Sequence, residues 1–427
     1  MVELAAPLAL QQFGNHLMGL IDSAMLGRWS DAALAGAGVG NNLYFGITCI
    51  GLGVIMGMDT VVPQAIGAGR ADDARRAVGA GVRLAVLVGL LTTLVVFASP
   101  LLLKAAHVDK EVLHEATAFT YMRALGAVPF LIMIALRSYL AAHGVTRPLV
   151  IAVILGNILN AGLDLVFIYG LRLGVIGAAM ATTLVQIAMA IIYALAVRAV
   201  DGGAPRPKST TADIKQIAKY GWPVGAQLFA EVGIFGIATV LAAHFGKIPA
   251  GAHSIALGLS SLTFAFTVGI ASATSVRVGH AVGAGNVGLA RKRGLLGVKL
   301  GLAVMACFAA IFLLVPRALA SVFTSETAVI AATIPLLQIA ALFQLSDGTQ
   351  AIGAGALRGL GDTRATLVGN LIGHYVIGLP LVIGLGFSAG LAVNGMWFGL
   401  SAGLTATALY LVLKFVAGTR STSQILR

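Results

Sequence analysis

The stretch YGWPVGAQLFAEVGIFGIATVLAAH occupies residues 220–244, and its only acid is Glu231. A helix takes about 20 apolar residues to cross the roughly 30 Å hydrocarbon core of a bilayer, so this stretch is long enough to span it. An acid at mid-membrane depth is costly unless something solvates or pairs it, which makes Glu231 a candidate for function. The alternative is a protonated, hydrogen-bonded acid with a structural role.

The amino-acid composition is that of an integral membrane protein. Hydrophobic residues make up 58% of its 427 residues, charged residues only 10%, and the mean hydropathy is +0.95. Soluble domains carry about 25% charged residues, and a β-barrel shows short alternating segments rather than long continuous ones. The net charge of +12 does not indicate nucleic-acid binding, because the cations lie in short loops between apolar runs. The sequence predicts an all-α polytopic membrane protein.

Twelve apolar runs follow one another, each ended by charge, glycine or proline. They span residues 4–27, 36–62, 79–103, 118–142, 149–170, 174–197, 218–244, 250–276, 295–315, 329–355, 366–388 and 394–416. The longest polar interruption, RAVDGGAPRPKSTTADIK, separates the sixth run from the seventh. We therefore expect an N-terminal six-helix bundle over 1–198, a cytoplasmic linker over 199–216 and a C-terminal six-helix bundle over 217–427.

The distribution of lysine and arginine predicts the orientation in the membrane. If the N-terminus is cytoplasmic, about 20 of these cations lie in or beside the cytoplasmic loops and tail, where such residues are enriched. Six lie on the opposite side, namely Arg28, Lys104, Lys110, Arg172, Lys247 and Arg317. The excess predicts that both termini are cytoplasmic.

The two halves of the chain repeat. Pro7 and Pro223 are 216 residues apart, as are Gln11 and Gln227. The run IGAGRADDAR from residue 66 matches VGAGNVGLAR from residue 282 at the same offset, and GVTR from residue 144 matches GDTR from residue 361. Parallel six-helix repeats are typical of transporters whose substrate site lies between the halves.

Four acids lie deep in apolar runs. Asp22 and Asp164 fall in the first half, and Glu231 and Asp347 fall in the second. These acids do not follow the repeat, because Asn15 corresponds to Glu231 and Ala238 corresponds to Asp22. A carboxylate required by the scaffold is expected in both halves, so their asymmetry favours function.

Polar residues accompany the acids of the first half. Asn160 and Asp164 are four residues apart, so they share one helix face. Thr182, in the sixth run, is expected to complete a polar cluster, although Asn and Thr in membrane helices also serve as interhelical contacts. Pro7 is expected to kink the first helix, which leaves backbone carbonyls in need of partners.

Paired acids suggest the chemistry. Two carboxylates in a low-dielectric site cannot both stay ionised without a cation, so one takes a proton or a metal ion bridges them. Oxygen ligands suit hard cations such as Na⁺, and an organic cation fits the same site. This predicts mutually exclusive binding of a coupling ion and a cationic substrate. The sequence indicates no cofactor, no nucleotide-hydrolysing motif and no catalytic constellation, so we expect a transporter rather than an enzyme.

Five stretches carry a resemblance to a known family. They are AAPLALQQFGNHLMGLIDSAMLG (5–27), GLGVIMGMDTVVPQAIGAGR (51–70), YGWPVGAQLFAEVGIFGIATVL (220–241), SATSVRVGHAVGAG (272–285) and FQLSDGTQAIGAGALRGLGD (343–362). Together they resemble multidrug and toxic compound extrusion (MATE) transporters of the NorM branch. The resemblance runs from Pro7 to about Gly403.

The resemblance implies a fold and an activity. It implies two six-helix bundles in a V with a central cavity, in a monomer that lies in the bacterial inner membrane. Such a transporter expels cationic, often aromatic drugs in exchange for Na⁺ or H⁺. The resemblance leaves the coupling ion open.

The resemblance also implies site residues. Glu231 and Asp347 match the cation-site acids of the second bundle, where Na⁺ is the expected metal ion, and Asp22 matches the first-helix acid. The first-bundle cluster formed with Asp22, which resembles the related DinF branch, consists of Asn160, Asp164 and Thr182. Phe343 stands where NorM relatives can have tyrosine, so an aromatic contact to the ion is expected without a hydroxyl. Pro7 and Pro223 are expected helix kinks.

Two other functions compete with drug export. A flippase of lipid-linked oligosaccharide has the same fold, but it needs a basic cavity to hold pyrophosphate. In this sequence the deep charges are acidic and the cations are expected at the rims. A channel or an integral-membrane enzyme is less favoured, because a channel does not need the two-fold repeat and an enzyme needs a catalytic constellation.

Overall fold

The protein is described by a computed structural model that covers residues 1–105, 109–204 and 207–425. Residues 205 and 206 of the expected linker, and residues 426 and 427 of the expected second bundle, lie outside the described residues.

The described chain consists of helices joined by short turns. The α-helices are α1 (Val2–Trp29), α2 (Asp31–Ile55), α3 (Met58–Gly67), α4 (Ala71–Ala98), α5 (Pro100–Ala105), α6 (Lys110–Ala124), α7 (Ala127–Ala142), α8 (Arg147–Asp164), α9 (Gly174–Val200), α10 (Thr211–Ala243), α11 (Lys247–Gly283), α12 (Val287–Leu314), α13 (Pro316–Ser321), α14 (Thr327–Leu360), α15 (Thr363–Leu371), α16 (Leu379–Ile383) and α17 (Ala392–Ile425). Three π-helical segments, Leu165–Gly170, Ile372–Gly378 and Gly384–Ser388, interrupt the long helices.

The helices have the length and composition of membrane spans. Ten spans of one or more helices among the described residues are long and apolar enough to cross a bilayer, and eleven are if α6 and α7 form one span bent by 49°. Many leucines face outward, such as Leu94 and Leu413, which are 69% and 66% exposed. Only a lipid environment makes such a surface favourable. The prediction of an all-α polytopic membrane protein is confirmed; α1 holds the first predicted run but is not among these spans.

The internal repeat is visible in the backbone. Arg70 N–H donates to the Ala65 carbonyl at 2.9 Å, and Asn286 N–H donates to the Ala281 carbonyl at 2.8 Å, 216 residues further on. The glycine before each donor has a positive φ, 72° in one turn and 70° in the other. This left-handed glycine is the usual way to satisfy carbonyls at a helix end. The two glycine-rich stretches are therefore equivalent helix-ending turns.

The chain divides into two compact units. The first unit is Leu10–Gly225, and the second unit combines Met1–Ala9 with Ala226–Arg427. Each division falls inside a long helix, two residues after Pro7 or Pro223. The units therefore differ from the expected ranges 1–198 and 217–427, because the linker and the start of α10 group with the first unit.

Glycine contacts explain why the start of α10 groups with the first unit. A Cβ on Gly221 would overlap the Val54 carbonyl oxygen of α2, and a Cβ on Gly57 would overlap the Ile217 carbonyl oxygen. Small residues let helix backbones approach this closely in membranes. In the second unit, a Cβ on Gly269 of α11 would likewise overlap the backbone of Ala9.

We expect Gly221→Val to destabilise the protein by about 1–3 kcal/mol, because the side chain would push α10 away from α2. The measurement is thermal unfolding of the purified protein in detergent. Gly236→Val is the matched control: it lies in the same helix, and a Cβ there meets nothing within 4 Å. An equal loss of stability in both variants would show that valine in the helix, rather than the α2 contact, is responsible.

Candidate cation-coupling sites

The second unit brings Glu231 of α10 and Asp347 of α14 close enough for their charges to interact. Asp347 is only 5% exposed, and Glu231 is partly buried. Two carboxylates so placed repel each other unless a proton or a cation lies between them. The sequence analysis predicted this pair, and the structure places its members in one unit.

Three amide side chains surround Glu231. Gln350 Nε2 and Asn370 Nδ2 lie 3.4 Å and 3.3 Å from Glu231 Oε2, and Gln227 contacts the same carboxylate from one turn earlier on α10. The side-chain oxygens of all three amides are buried, and none of these oxygens has a hydrogen-bond partner among the described residues. A buried acceptor without a donor is costly, and it is what a hard cation needs as a ligand.

Sequence analysis missed these amides, although helical spacing identifies them. Gln227 precedes Glu231 by four residues, Gln350 follows Asp347 by three, and Asn370 lies in the last turn of α15. Residues three or four apart share a helix face. The search for acids alone overlooked neutral oxygens on the same faces.

An aromatic layer lies one helical turn from the polar layer. Phe235 follows Glu231 by four residues, and Phe343 precedes Asp347 by four; their ring centroids are 6.1 Å apart in an edge-to-face contact. His374 follows Asn370 by four residues and lies 6.2 Å from the Phe235 ring. Phe343 is 2% exposed, so it packs within the hydrophobic core as well as lying near the acids.

The π-helical segment Ile372–Gly378 fixes this side of the site. Tyr375 Oη donates a 2.7 Å hydrogen bond to the Ala230 carbonyl, beside Glu231 on α10. A Cβ on Gly373 would overlap Thr407 and the Gly403 carbonyl, so the segment packs directly on the α17 backbone. π-Helical turns recur at functional sites, where they shift side chains relative to a regular helix.

The first unit gathers the other four predicted residues. Thr182 Oγ1 of α9 donates a 2.7 Å hydrogen bond to Asp22 Oδ2 of α1. Asp164 and Asn160, both fully buried on α8, contact Asp22 from the other side. Both oxygens of Asp164 and the Oδ1 of Asp22 have no donor among the described residues. One shared proton would remove the repulsion within this carboxyl pair and join two of these three oxygens.

Arg123 is a charged residue of this region that the sequence analysis did not single out. It is 7% exposed, its guanidinium carbon lies 4.5 Å from the centre of the Tyr44 ring, and its Nη1 lies 3.4 Å from Gln186 Oε1. Its positive charge acts on Asp22. The expectation that the cations lie at the rims is therefore wrong for Arg123, which lies near the middle of the bent span formed by α6 and α7. Arg137 and Arg358 are buried as well, but they lie near the ends of α7 and α14.

Within the described residues, no group of three or more His, Cys, Asp and Glu side chains is placed to hold a metal ion. A cation at Glu231 and Asp347 would therefore depend on amide oxygens for its remaining ligands. Such a ligand set suits weakly bound alkali ions better than transition metals.

We expect Thr182→Val to lower the unfolding free energy by about 1–3 kcal/mol, because Asp22 loses its buried donor. Thr182→Ser keeps the hydroxyl and should retain most of the stability. Thermal unfolding in detergent measures both variants. If valine and serine give the same unfolding temperature, the hydrogen bond to Asp22 does not support the first-unit cluster.

Comparisons with known proteins agree with this architecture. The MatE family model matches residues 7–166 and 223–383. A probable multidrug resistance protein NorM from Deinococcus radiodurans is 37% identical over 434 residues, covering 99% of this chain and 95% of that protein. Its counterpart from Pseudomonas putida is 32% identical over 433 residues, covering 97% and 93%.

A solved structure shows the same fold. It is described as an outward-facing conformation of a multidrug resistance MATE family transporter of the MOP superfamily, and it superposes with a TM-score of 0.91 at 20% identity, covering 99% of this chain and 96% of that one. The predicted MATE-like fold is confirmed.

Proposed function

Because the chain belongs to the MatE family, we propose that it exports cationic and aromatic drugs in exchange for Na⁺ or H⁺. The chain is a multi-pass membrane transporter, not an enzyme. The proposal extends this to a monomer in a bacterial inner membrane, with both termini in the cytoplasm. The observation that carries the coupling mechanism is the electrostatic interaction of Glu231 with Asp347, beside amide oxygens that lack donors.

The second-unit site is suited to a dehydrated Na⁺. Two carboxylates and the oxygens of Gln227, Gln350 and Asn370 offer only hard ligands, and the neighbouring Phe235 and Phe343 limit water on one side. An organic cation would compete for the same negative charge. Binding of Na⁺ would then release the drug, which is the exchange that an antiporter requires.

The first-unit cluster is suited to a proton. Asp22 and Asp164 interact, and Thr182 already donates to one oxygen, so one added proton would join two of the three carboxyl oxygens that lack a donor. Arg123 offsets one negative charge nearby. With Arg123 present, the two acids need one further positive charge, whether from a proton or a cationic drug.

A flippase of lipid-linked oligosaccharide is less well supported. It requires several cations that converge on one pyrophosphate. In this chain Arg123 stacks on Tyr44, and Arg137 Nε donates to Gln11 Oε1 at 3.1 Å, so the buried arginines have separate partners.

We expect Glu231→Gln and Asp347→Asn each to reduce drug efflux at least tenfold, because a neutral amide forfeits an attraction of more than about 1.4 kcal/mol to the cation. Efflux from proteoliposomes with an imposed Na⁺ gradient measures this. Glu111→Gln, at an exposed acid of α6, should leave efflux unchanged. Normal drug efflux by well-folded Glu231→Gln would rule out coupling in the second unit.

A second experiment separates the two ions. Each variant is assayed under a Na⁺ gradient alone and under a pH gradient alone. We expect Asp22→Asn and Asp164→Asn to abolish efflux driven by the pH gradient, because neither retains a carboxyl pair that shares a proton. Loss of the pH-driven signal in Glu231→Gln with full retention in Asp164→Asn would instead assign the proton to the second unit.

A further inference from the structure

The two equivalent helix-ending turns carry different charges. In the first unit, Asp72 and Asp73 begin α4 and pair with neighbouring arginines; the Arg76 Nη2–Asp73 Oδ1 distance is 2.6 Å. At the repeat offset of 216 residues, these acids are replaced by Gly288 and Leu289 at the start of α12. The second unit thus has cations at the positions of Arg75 and Arg76 but lacks both acids, and Asn286 replaces Arg70.

The linker also supplies partners for two arginines of α4 in the first unit. Arg76 Nε lies 3.9 Å from Asp213 Oδ1, and Arg83 Nη1 donates to the Ser209 carbonyl at 2.9 Å. Asp213 is held in place because it accepts hydrogen bonds from the backbone and hydroxyl of Thr210 at 2.7 and 2.8 Å. The cations of this turn therefore have anionic or carbonyl partners.

The corresponding cations of the second unit are exposed. Lys292 matches Arg76 and Lys299 matches Arg83 at the repeat offset, and both lysines are exposed. Among the residues that the structure describes, no acid forms an ion pair with either lysine. They are seven residues apart and share one face of α12 with Leu296, which is 51% exposed.

Two arginines add to this charge. Arg293 Nη1 donates to the Arg277 carbonyl at 3.0 Å, and the two guanidinium groups repel each other. The Nε of Arg277 is buried and has no hydrogen-bond partner in the described part of the chain. Two like charges held together, beside a buried N–H that has no acceptor, favour the binding of an anion. We call Arg277, Lys292, Arg293 and Lys299 the basic cluster.

The position of the basic cluster selects the anion. The cluster flanks the turn between two spans, Lys247–Gly283 and Val287–Leu314. Lys299 lies about one turn inside the apolar run, from which a lysine side chain can reach back to the interface. At this depth the abundant anion is a lipid phosphate, and its acyl chains would lie along the apolar face that carries Leu296.

We propose that the basic cluster binds the phosphate headgroup of an anionic phospholipid. The missing acids, the exposed lysines and the donor of Arg277 make this a lipid site of the second unit, with no counterpart in the first unit. The proposal is independent of the coupling ion, because none of these residues belongs to either acid site.

The test uses the full chain, purified in detergent and exposed to equal amounts of phosphatidylglycerol and phosphatidylcholine. Native mass spectrometry counts the lipids retained. We expect the wild type to prefer phosphatidylglycerol, and Lys292→Gln and Lys299→Gln each to weaken that preference about fivefold, since a lysine near an anionic headgroup contributes about that factor. The double variant should show little preference.

Lys247→Gln is the matched control, because Lys247 is an exposed lysine of the same unit at the opposite end of α11 from Arg277. It should keep the wild-type preference. A double variant that still prefers phosphatidylglycerol overturns the proposal, and so does an equal loss in the control. A third arm adds inorganic phosphate: if phosphate alone displaces the lipid at low millimolar concentration, the cluster binds free anions rather than lipid, and the assignment is wrong.

Discussion

Burial of charge where water is scarce is the constraint on which this structure depends. Helices satisfy their own backbone groups in a bilayer, but a carboxylate does not, so each deep acid requires a proton, a cation or donated hydrogen bonds. The structure meets this requirement differently in each unit. Glu231 is surrounded by amides that supply weak donors and unpaired oxygens, whereas Asp22 is in contact with a second carboxylate and one hydroxyl.

The difference has consequences for selectivity. The acids of both sites can take up a proton, but the three amide oxygens around Glu231 have no charge to lose and keep their capacity to bind a metal ion when the acids do so. A carboxyl pair such as Asp22 and Asp164 changes character when one proton is added. The chain therefore contains two chemically distinct groups of buried acids.

The sequence predicted the helical class and the acids because both depend on local properties. Continuous apolar runs identify spans, and a single acid such as Glu231 in an apolar run is conspicuous. The residues that surround the acids were harder to predict. Asn370 is 139 residues from Glu231 in the sequence, and only tertiary packing brings the two side chains together. The unit boundaries were harder still: they depend on contacts such as Gly221 with Val54, which a search for polar linkers does not consider.

Departures from the internal repeat are the most informative feature that the sequence and the structure share. A pair of homologous helices under the same structural demands should keep the same residues, as the glycines at 69 and 285 do. Glu231 replaces the asparagine at its equivalent position, and the loss of Asp72 and Asp73 leaves Lys292 without a matching acid. The first change adds negative charge to the interior of a span and the second leaves positive charge at the edge of one. Neither stabilises the fold by itself, so each is best explained by a ligand of opposite charge: a cation in the interior and a lipid phosphate at the edge.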